Sequence, residues 1–182
     1  ILDLKRIPRS LTIIGGGVIG IEYATILSAL DVRVTVVDPA PSLLPFVDQE
    51  LMDEFVHDLR DRGMTLRLKA KMSRVERLSD GSCLVALEDG RQIRSDMVLF
   101  AAGRQGSTHT LNIEAAGLTA DKRGRLHVNP STFQTSVPHI YAAGDIIGFP
   151  SLASTSMEQG RIAACHAFGE EAPAAPEFFP YG

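Results

Sequence analysis

The sequence predicts an α/β protein in which a parallel βαβ unit is followed by an antiparallel meander. Residues 11–14 (LTII) form a short apolar run that ends at glycines, which is typical of a strand buried on both faces of a parallel sheet. Residues 32–38 (VRVTVVD) are rich in β-branched side chains and indicate a second strand. Between residues 71 and 94, short runs are separated by SDGS and EDG, as in a meander of antiparallel strands.

Two helices and two further strands complete the first part of the prediction. A helix over residues 17–30 connects the first two strands and gives the βαβ unit its expected length. Asp48 suits the N-cap of a second helix over residues 49–62, which Gly63 ends. The two further strands are predicted in MTLRL, residues 64–68, and in DMVLFAAG, residues 96–103.

The remainder of the chain carries weaker signals. A short helix is predicted around residues 111–116, a strand in HIYAAGD (139–145) and a longer helix in TSMEQGRIAACHAF (155–168). The tail EEAPAAPEFFP, residues 170–180, is rich in Pro and Ala and is interpreted as an extended connector. We place a domain boundary after residue 118, which gives a first domain over 1–118 and a second segment over 119–182.

Composition excludes several classes of function. The formal net charge is -4 over 182 residues, and Lys and Arg are scattered, so no basic surface for nucleic acid is expected. No apolar run reaches the roughly 18 to 20 residues that span a bilayer, and the first residues do not resemble a signal peptide. We therefore expect no membrane partner and a cytoplasmic location.

Cysteines and histidines show no catalytic or metal-binding pattern. Cys83 and Cys165 are far apart and outside any CxxC or CxxxxC spacing, so they are interpreted as small buried apolar residues. The five histidines have no metal-ligand spacing and no nearby nucleophile. No metal site and no catalytic residue is predicted.

The stretch GGGVIG suits a phosphate-binding turn. Gly15 permits a tight turn after the first strand, Gly17 allows a pyrophosphate to approach the backbone, and Gly20 allows the helix to pack closely on the strand. The amides at the start of the helix, at Val18 and Ile19, and the helix dipole would favour the phosphates. A glycine-rich turn without a ligand is the alternative.

Asp38 strengthens the dinucleotide interpretation. It ends the second strand 18 residues after Gly20, where a Rossmann-like fold places an acid on the ribose hydroxyls. A carboxylate repels a 2′-phosphate, and no Lys or Arg occurs between residues 39 and 59 to attract one. The local chemistry therefore favours NAD over NADP, although NADP stays open. The alternative is that Asp38 does not bind a ribose and serves only to begin a turn before Pro39.

Three stretches carry a resemblance to a known family. GGGVIGIEYA, DMVLFAAGRQGST and TSVPHIYAAGDIIG are similar to the pyridine-nucleotide site, the strand and turn after the meander, and the second flavin-binding motif of FAD-dependent pyridine nucleotide-disulfide oxidoreductases. The resemblance covers nearly the whole chain. It implies a flavoprotein oxidoreductase that uses FAD together with NAD or NADP.

The resemblance also implies roles for individual residues. Glu22 would lie near the nicotinamide ring, although an acid near a helix N-terminus is favourable on its own account. Asp145 would bind the ribityl chain of FAD, and Gly144 would permit its close approach. The remaining residues that it implicates in cofactor binding are Gly103, in the turn after the last strand, and Leu152 and Ala153, at a helix N-terminus that faces the flavin.

The chain resembles only the middle of such an enzyme. Relatives carry a first flavin-binding segment before it, with CxxxxC in the disulfide reductases, and an interface domain after it that forms a homodimer. We therefore expect residues 1–118 to form the NAD domain, 119–182 to form part of the FAD domain, and the chain alone to be inactive. PSLAS and QGRIAA are most similar to the soluble transhydrogenase branch; dihydrolipoamide dehydrogenase and a non-catalytic dinucleotide-binding module are the alternatives.

Overall fold

The computed structural model describes residue 1 and residues 3–171, and the chain divides into two compact units. The first unit is Ile1–Gly103 and the second begins at Arg104. Each is described here by itself. The division of the chain into domains at residues 118 and 119 stays a prediction.

The first unit contains a parallel sheet, an antiparallel sheet and two helices. In chain order the elements are β1 (Ser10–Ile14), α1 (Val18–Ser28), β2 (Arg33–Asp38), α2 (Gln49–Asp61), β3 (Thr65–Leu68), β4 (Met72–Arg77), β5 (Cys83–Leu87), β6 (Gln92–Ser95) and β7 (Met97–Phe100). The parallel sheet has the order β3-β2-β1-β7, and the meander has the order β4-β5-β6. The predicted fold class is confirmed.

Strand β1 lies at the centre of the parallel sheet because it is apolar on both faces. Ile13 is fully buried and is in register with Val36 of β2 and Leu99 of β7. On one face, Leu11 and Ile13 pack in a core cluster with α1 and α2. On the other face, Ile14 packs in a second cluster with residues of the meander. The carboxyl ends of β1, β2 and β7 therefore meet at one edge of the sheet, which we call the carboxyl edge.

Helix α2 begins where the sequence predicts. The Asp48 carboxylate accepts hydrogen bonds from the backbone amides of Glu50 and Leu51, as an N-cap does. Met52 and Leu59 are buried on its inner side. The helix ends at Asp61, one residue before the predicted end, and Gly63 follows with a left-handed φ of 82°.

The second unit is built around helix α3 (Ala153–Phe168) and short 3₁₀ turns at Thr108–Thr110, Ile113–Ala116 and Gly144–Ile147. Its small core consists of Phe133, Ile162 and Ala163. A short 3₁₀ helix, Ile113–Ala116, lies within the range 111–116 predicted for a short helix. Helix α3 begins at Ala153, where the resemblance places a helix N-terminus, two residues before the run TSMEQGRIAACHAF.

The strand predicted over residues 139–145 is wrong. Tyr141 forms only an isolated antiparallel bridge with Gln134, and Gly144 then begins a 3₁₀ turn at a left-handed φ of 81°. A backbone in that region cannot continue a strand.

Cys83 and Cys165 are half-buried free thiols rather than buried ones. The connector predicted over residues 170–180 lies outside the described residues from residue 172 onward.

Candidate functional site

The first turn of α1, which follows the glycine turn after β1, presents uncapped backbone amides at the carboxyl edge. Gly17 is the N-cap of α1 and has no side chain to cap the helix. The first amides of any α-helix have no partner within the helix, and together with the helix dipole they favour an anion. The turn therefore has the chemistry of a phosphate-binding site.

The three glycines of the turn have different structural roles. A Cβ atom on Gly15 would lie 2.3 Å from the carbonyl oxygen of Ala101, and a Cβ on Gly20 would lie 2.0 Å from that of Gly15. These two glycines are required by packing. A Cβ on Gly17 would meet nothing within 4 Å, and its φ of -75° is accessible to any residue. Of these three glycines, only Gly17 could carry a side chain without disturbing the fold.

Asp38 closes the other side of the turn. Its Oδ2 accepts a hydrogen bond from the amide of Gly16 at 2.5 Å, and its Oδ1 accepts one from the amide of Ala40 at 2.7 Å. The half-buried carboxylate therefore holds the glycine turn and also opens the turn after β2. Each carboxylate oxygen can accept a second hydrogen bond, so the ribose role stays compatible with this geometry.

The other residues predicted in the first unit lie at the same end of the sheet. Ile19 and Glu22 are exposed in the first turns of α1, at the i, i+3 spacing that places them on one side of a helix. Val18 is half-buried beside them. Gly103 follows β7 with a left-handed φ of 98°. Side chains on this part of α1 are therefore accessible where a dinucleotide would cross the carboxyl edge.

In the second unit, the turn that contains Asp145 is held by a buried side chain. The Oε1 atom of Gln159, on α3, accepts a hydrogen bond from the amide of Gly144 at 2.7 Å. A Cβ atom on Gly144 would lie 3.1 Å from the Oγ atom of Ser156, so the turn packs closely on the helix. Asp145 itself is exposed, and its Oδ2 lies 3.1 Å from Nη1 of Arg104.

The N-terminus of α3 leaves polar groups without partners. Leu152 is the N-cap, so no side chain caps the amides of the first turn, which begins at Ala153. The hydroxyl of Thr155 is buried, with the residue only 1% exposed, and Oγ1 has no hydrogen-bond partner within the described part of the chain. A buried hydroxyl without a partner is costly, so this end of the helix has the polar requirements of a ligand site.

Sequence reasoning did not find Gln159, Thr155 or the pairing of Arg104 with Asp145. A glutamine in the middle of a helix is usually exposed, and only its burial shows that it has a structural partner. Thr155 gives no sequence signal because its burial depends on how α3 packs.

We expect Gln159→Leu to lower the stability of the second unit. Leucine is similar in size but offers no acceptor, so the buried amide of Gly144 would lose its partner at a cost of about 1–3 kcal/mol. Chemical denaturation and the hydrogen exchange of the Gly144 amide measure the loss. The same substitution at exposed Gln92, in the first unit, is the control. Unchanged exchange at Gly144 in the Gln159→Leu variant would show that this hydrogen bond does not hold the turn.

The carboxylates with lowered pKa values are not those predicted to bind a cofactor. Hydrogen bonds from Arg91 lower the pKa of Asp89 in the turn of the meander. A hydrogen bond from Arg161 lowers the pKa of Glu158 on α3. The Asp89–Arg91 pair is exposed and Glu158 is half-buried, and both are ion pairs between residues close in sequence that give no sign of a catalytic role.

Two further tests concern metals and membranes. No group of three or more His, Cys, Asp or Glu side chains among the described residues could hold a metal ion. None of the helices in the described part of the chain has the length and apolar character needed to cross a bilayer.

The strand order, the glycine turn and the acid at the end of β2 define a Rossmann-like α/β protein of the dinucleotide-binding class. A family model for pyridine nucleotide-disulphide oxidoreductases matches residues 1–160. The chain belongs to this family, and the resemblance seen in its motifs is confirmed.

Curated relatives of the chain are named soluble pyridine nucleotide transhydrogenase. That of Mycobacterium bovis (strain BCG / Pasteur 1173P2) is 47% identical over all 182 residues, which are 38% of the relative's length. That of Marinomonas sp. (strain MWYL1) is 46% identical over 169 residues, which cover 93% of this chain and 36% of the relative. The chain thus spans less than two fifths of the length of these relatives.

Solved structures share the fold. LpdA from Mycobacterium tuberculosis matches with a TM-score of 0.85 and 33% identity, over 95% of this chain and 37% of that structure. The HOCl-induced flavoprotein disulfide reductase RclA from Escherichia coli matches with a TM-score of 0.81 and 32% identity, over 95% of this chain and 39% of that structure.

Proposed function

We propose that the chain supplies the nicotinamide-nucleotide site and part of the FAD site of a flavoprotein that transfers hydride between NAD(P)H and FAD. The activity of the whole protein would be that of a soluble pyridine nucleotide transhydrogenase, which oxidises NADPH and reduces NAD. The observation that carries this proposal is the identity of 47% with proteins of that name over the full length of the chain.

The first unit would bind the dinucleotide through its backbone. The open face of Gly17 leaves room for a pyrophosphate beside the uncapped amides of α1. The spare acceptor sites of Asp38 would receive the hydroxyls of the adenosine ribose. The exposed side chains of Ile19 and Glu22 would then lie towards the nicotinamide, which must stack with its C4 atom close to the flavin.

The second unit has groups that suit a flavin. FAD, when bound, supplies an acceptor for the hydride at its N5 atom. The exposed Asp145 carboxylate would accept hydrogen bonds from ribityl hydroxyls, and the uncapped amides that follow Leu152 would stabilise negative charge on the reduced ring. A homodimer and a cytoplasmic location stay predictions.

Dihydrolipoamide dehydrogenase is the second candidate. No Lys or Arg follows Asp38 between residues 39 and 59, as expected of an enzyme that uses NAD alone. A transhydrogenase must also accept the 2′-phosphate of NADPH. The two activities therefore make different demands on the surroundings of Asp38.

Hydride transfer from NADPH to thionicotinamide adenine dinucleotide tests the proposal directly. We expect the purified whole protein, loaded with flavin, to form the reduced thio-analogue, which absorbs at its own wavelength, without any disulfide substrate. Reduction of lipoamide by NADH in the same preparation, without transfer between the two nucleotides, would instead identify the dehydrogenase.

A further inference from the structure

Lys69 lies beside the segment that follows Asp38, although the two residues are distant in sequence. The parallel pairing of β2 and β3 brings Asp38 into register with Leu68. The amide of Lys69 then donates a hydrogen bond to the carbonyl oxygen of Ala40 at 3.0 Å, and the amide of Ala70 donates one to that of Asp38 at 3.1 Å. The end of β3 is therefore joined to the turn that would border the ribose.

Lys69 carries a positive charge on the residue that follows β3. Lys69 is exposed, its backbone has a left-handed φ of 54°, and it makes no ion pair within the part of the chain that the structure describes. Lys71, two residues later, differs in this respect because its Nζ atom lies 2.6 Å from Glu88. Of these two lysines, only Lys69 has a charge that no carboxylate neutralises.

We propose that Lys69 is the residue that accepts the 2′-phosphate of NADP(H). This inference rests on the proposed function, because it requires the adenosine ribose to lie at Asp38. A 2′-phosphate at that place would face the Asp38 carboxylate, and an ammonium from the adjacent strand would offset the repulsion. Lysine suits a site that must hold both nucleotides, because its flexible stem can turn to solvent when the phosphate is absent.

A cation from β3 would allow a site that contains Asp38 to accept NADP(H) as well as NAD(H). The sequence next to Asp38 contains no basic residue, but the sheet supplies one from a strand that ends 30 residues later. Asp38 would then recognise the ribose hydroxyls of NAD, and Lys69 would recognise the phosphate of NADP. Each nucleotide would have its own charged partner at one end of the site.

Binding of two small probes to the full chain tests the inference. The probes are 5′-AMP and adenosine 2′,5′-bisphosphate, which differ only in the 2′-phosphate. We expect Lys69→Met to weaken binding of the bisphosphate by about tenfold or more in calorimetry, since a charged hydrogen bond is lost, while binding of 5′-AMP stays within about twofold. Lys71→Met is the matched control and should change neither affinity.

The outcomes separate the inference from the proposed function. If the wild-type chain binds both probes and Lys69→Met keeps the same ratio of affinities, the role of Lys69 is excluded while the nucleotide site stands. If the wild-type chain binds neither probe nor NADH, the proposed nucleotide site fails, and the inference fails with it. If Lys69→Met loses bisphosphate binding and Lys71→Met keeps it, the result supports both the inference and the proposed nucleotide site.

Discussion

Replacement of Gly17 by valine is expected to abolish NADH binding while the protein stays folded. A side chain at this position would fill the space that the open turn leaves for a pyrophosphate, and it would separate the phosphates from the uncapped amides of α1. We expect a loss of affinity of about 100-fold or more, because the contacts of the whole pyrophosphate depend on close approach. Isothermal titration calorimetry with NADH measures it.

The fold should tolerate this substitution. The backbone of Gly17 has φ -75° and ψ -178°, which suits a β-branched residue, and a Cβ there has no neighbour within 4 Å. The loss of a favourable N-cap glycine costs about 1 kcal/mol or less. Gly160→Val, at an equally open glycine in the second unit, is the matched control. Undiminished NADH affinity in a folded Gly17→Val protein would refute the phosphate-binding role of the turn.

The same experiment on Gly15 or Gly20 would not test binding. A Cβ atom on either residue would enter contact with backbone at 2.3 Å or less, so the turn itself must shift. Sequence spacing alone assigns all three glycines to one motif. Only the structure separates the two that the fold requires from the one that it leaves free.

The parallel sheet could be predicted because its signals are local. The apolar run of β1, the glycine turn and the β-branched run of β2 each lie within a few residues, and the helix between them has a fixed length. The failure at residues 139–145 has the opposite cause. Its apolar residues suggest a strand, but the left-handed Gly144 and its tie to Gln159 give a turn that no local pattern reveals.

Charges at the candidate site were harder to predict than its backbone. Asp38 ends a strand and could be assigned from its position, whereas Lys69 depends on which strand pairs with β2. Thr155 and Gln159 depend on the packing of α3. A sequence thus shows which residues end a strand, while the neighbour that we propose for cofactor preference comes from a strand that meets β2 only in the folded sheet.

The proposed ribose contact of Asp38 must be separated from its observed structural role, because the same carboxylate holds the glycine turn. Its carboxylate accepts hydrogen bonds from the amides of Gly16 and Ala40 at 2.5 Å and 2.7 Å. A variant that loosened the turn would weaken the binding of both nucleotides equally. A variant that removed ribose recognition would change the ratio of the two affinities. The preference for NADPH over NADH is therefore the informative quantity, rather than either affinity alone.

Asp38→Ser should move that preference towards NADPH by at least about tenfold, since close like charges in a partly screened site are worth on the order of 1–4 kcal/mol. Loss of the charged hydrogen bond to the ribose hydroxyl removes a further 1.5–3 kcal/mol or so from NADH binding. Asp38→Asn, which keeps one carbonyl oxygen for the backbone donors, should move the ratio in the same direction with less damage to the turn. The ratio of kcat/KM for the two nucleotides, determined on the whole protein, measures the shift. A ratio within about threefold of wild type in both variants, under 1 kcal/mol, would leave Asp38 with the turn as its only role.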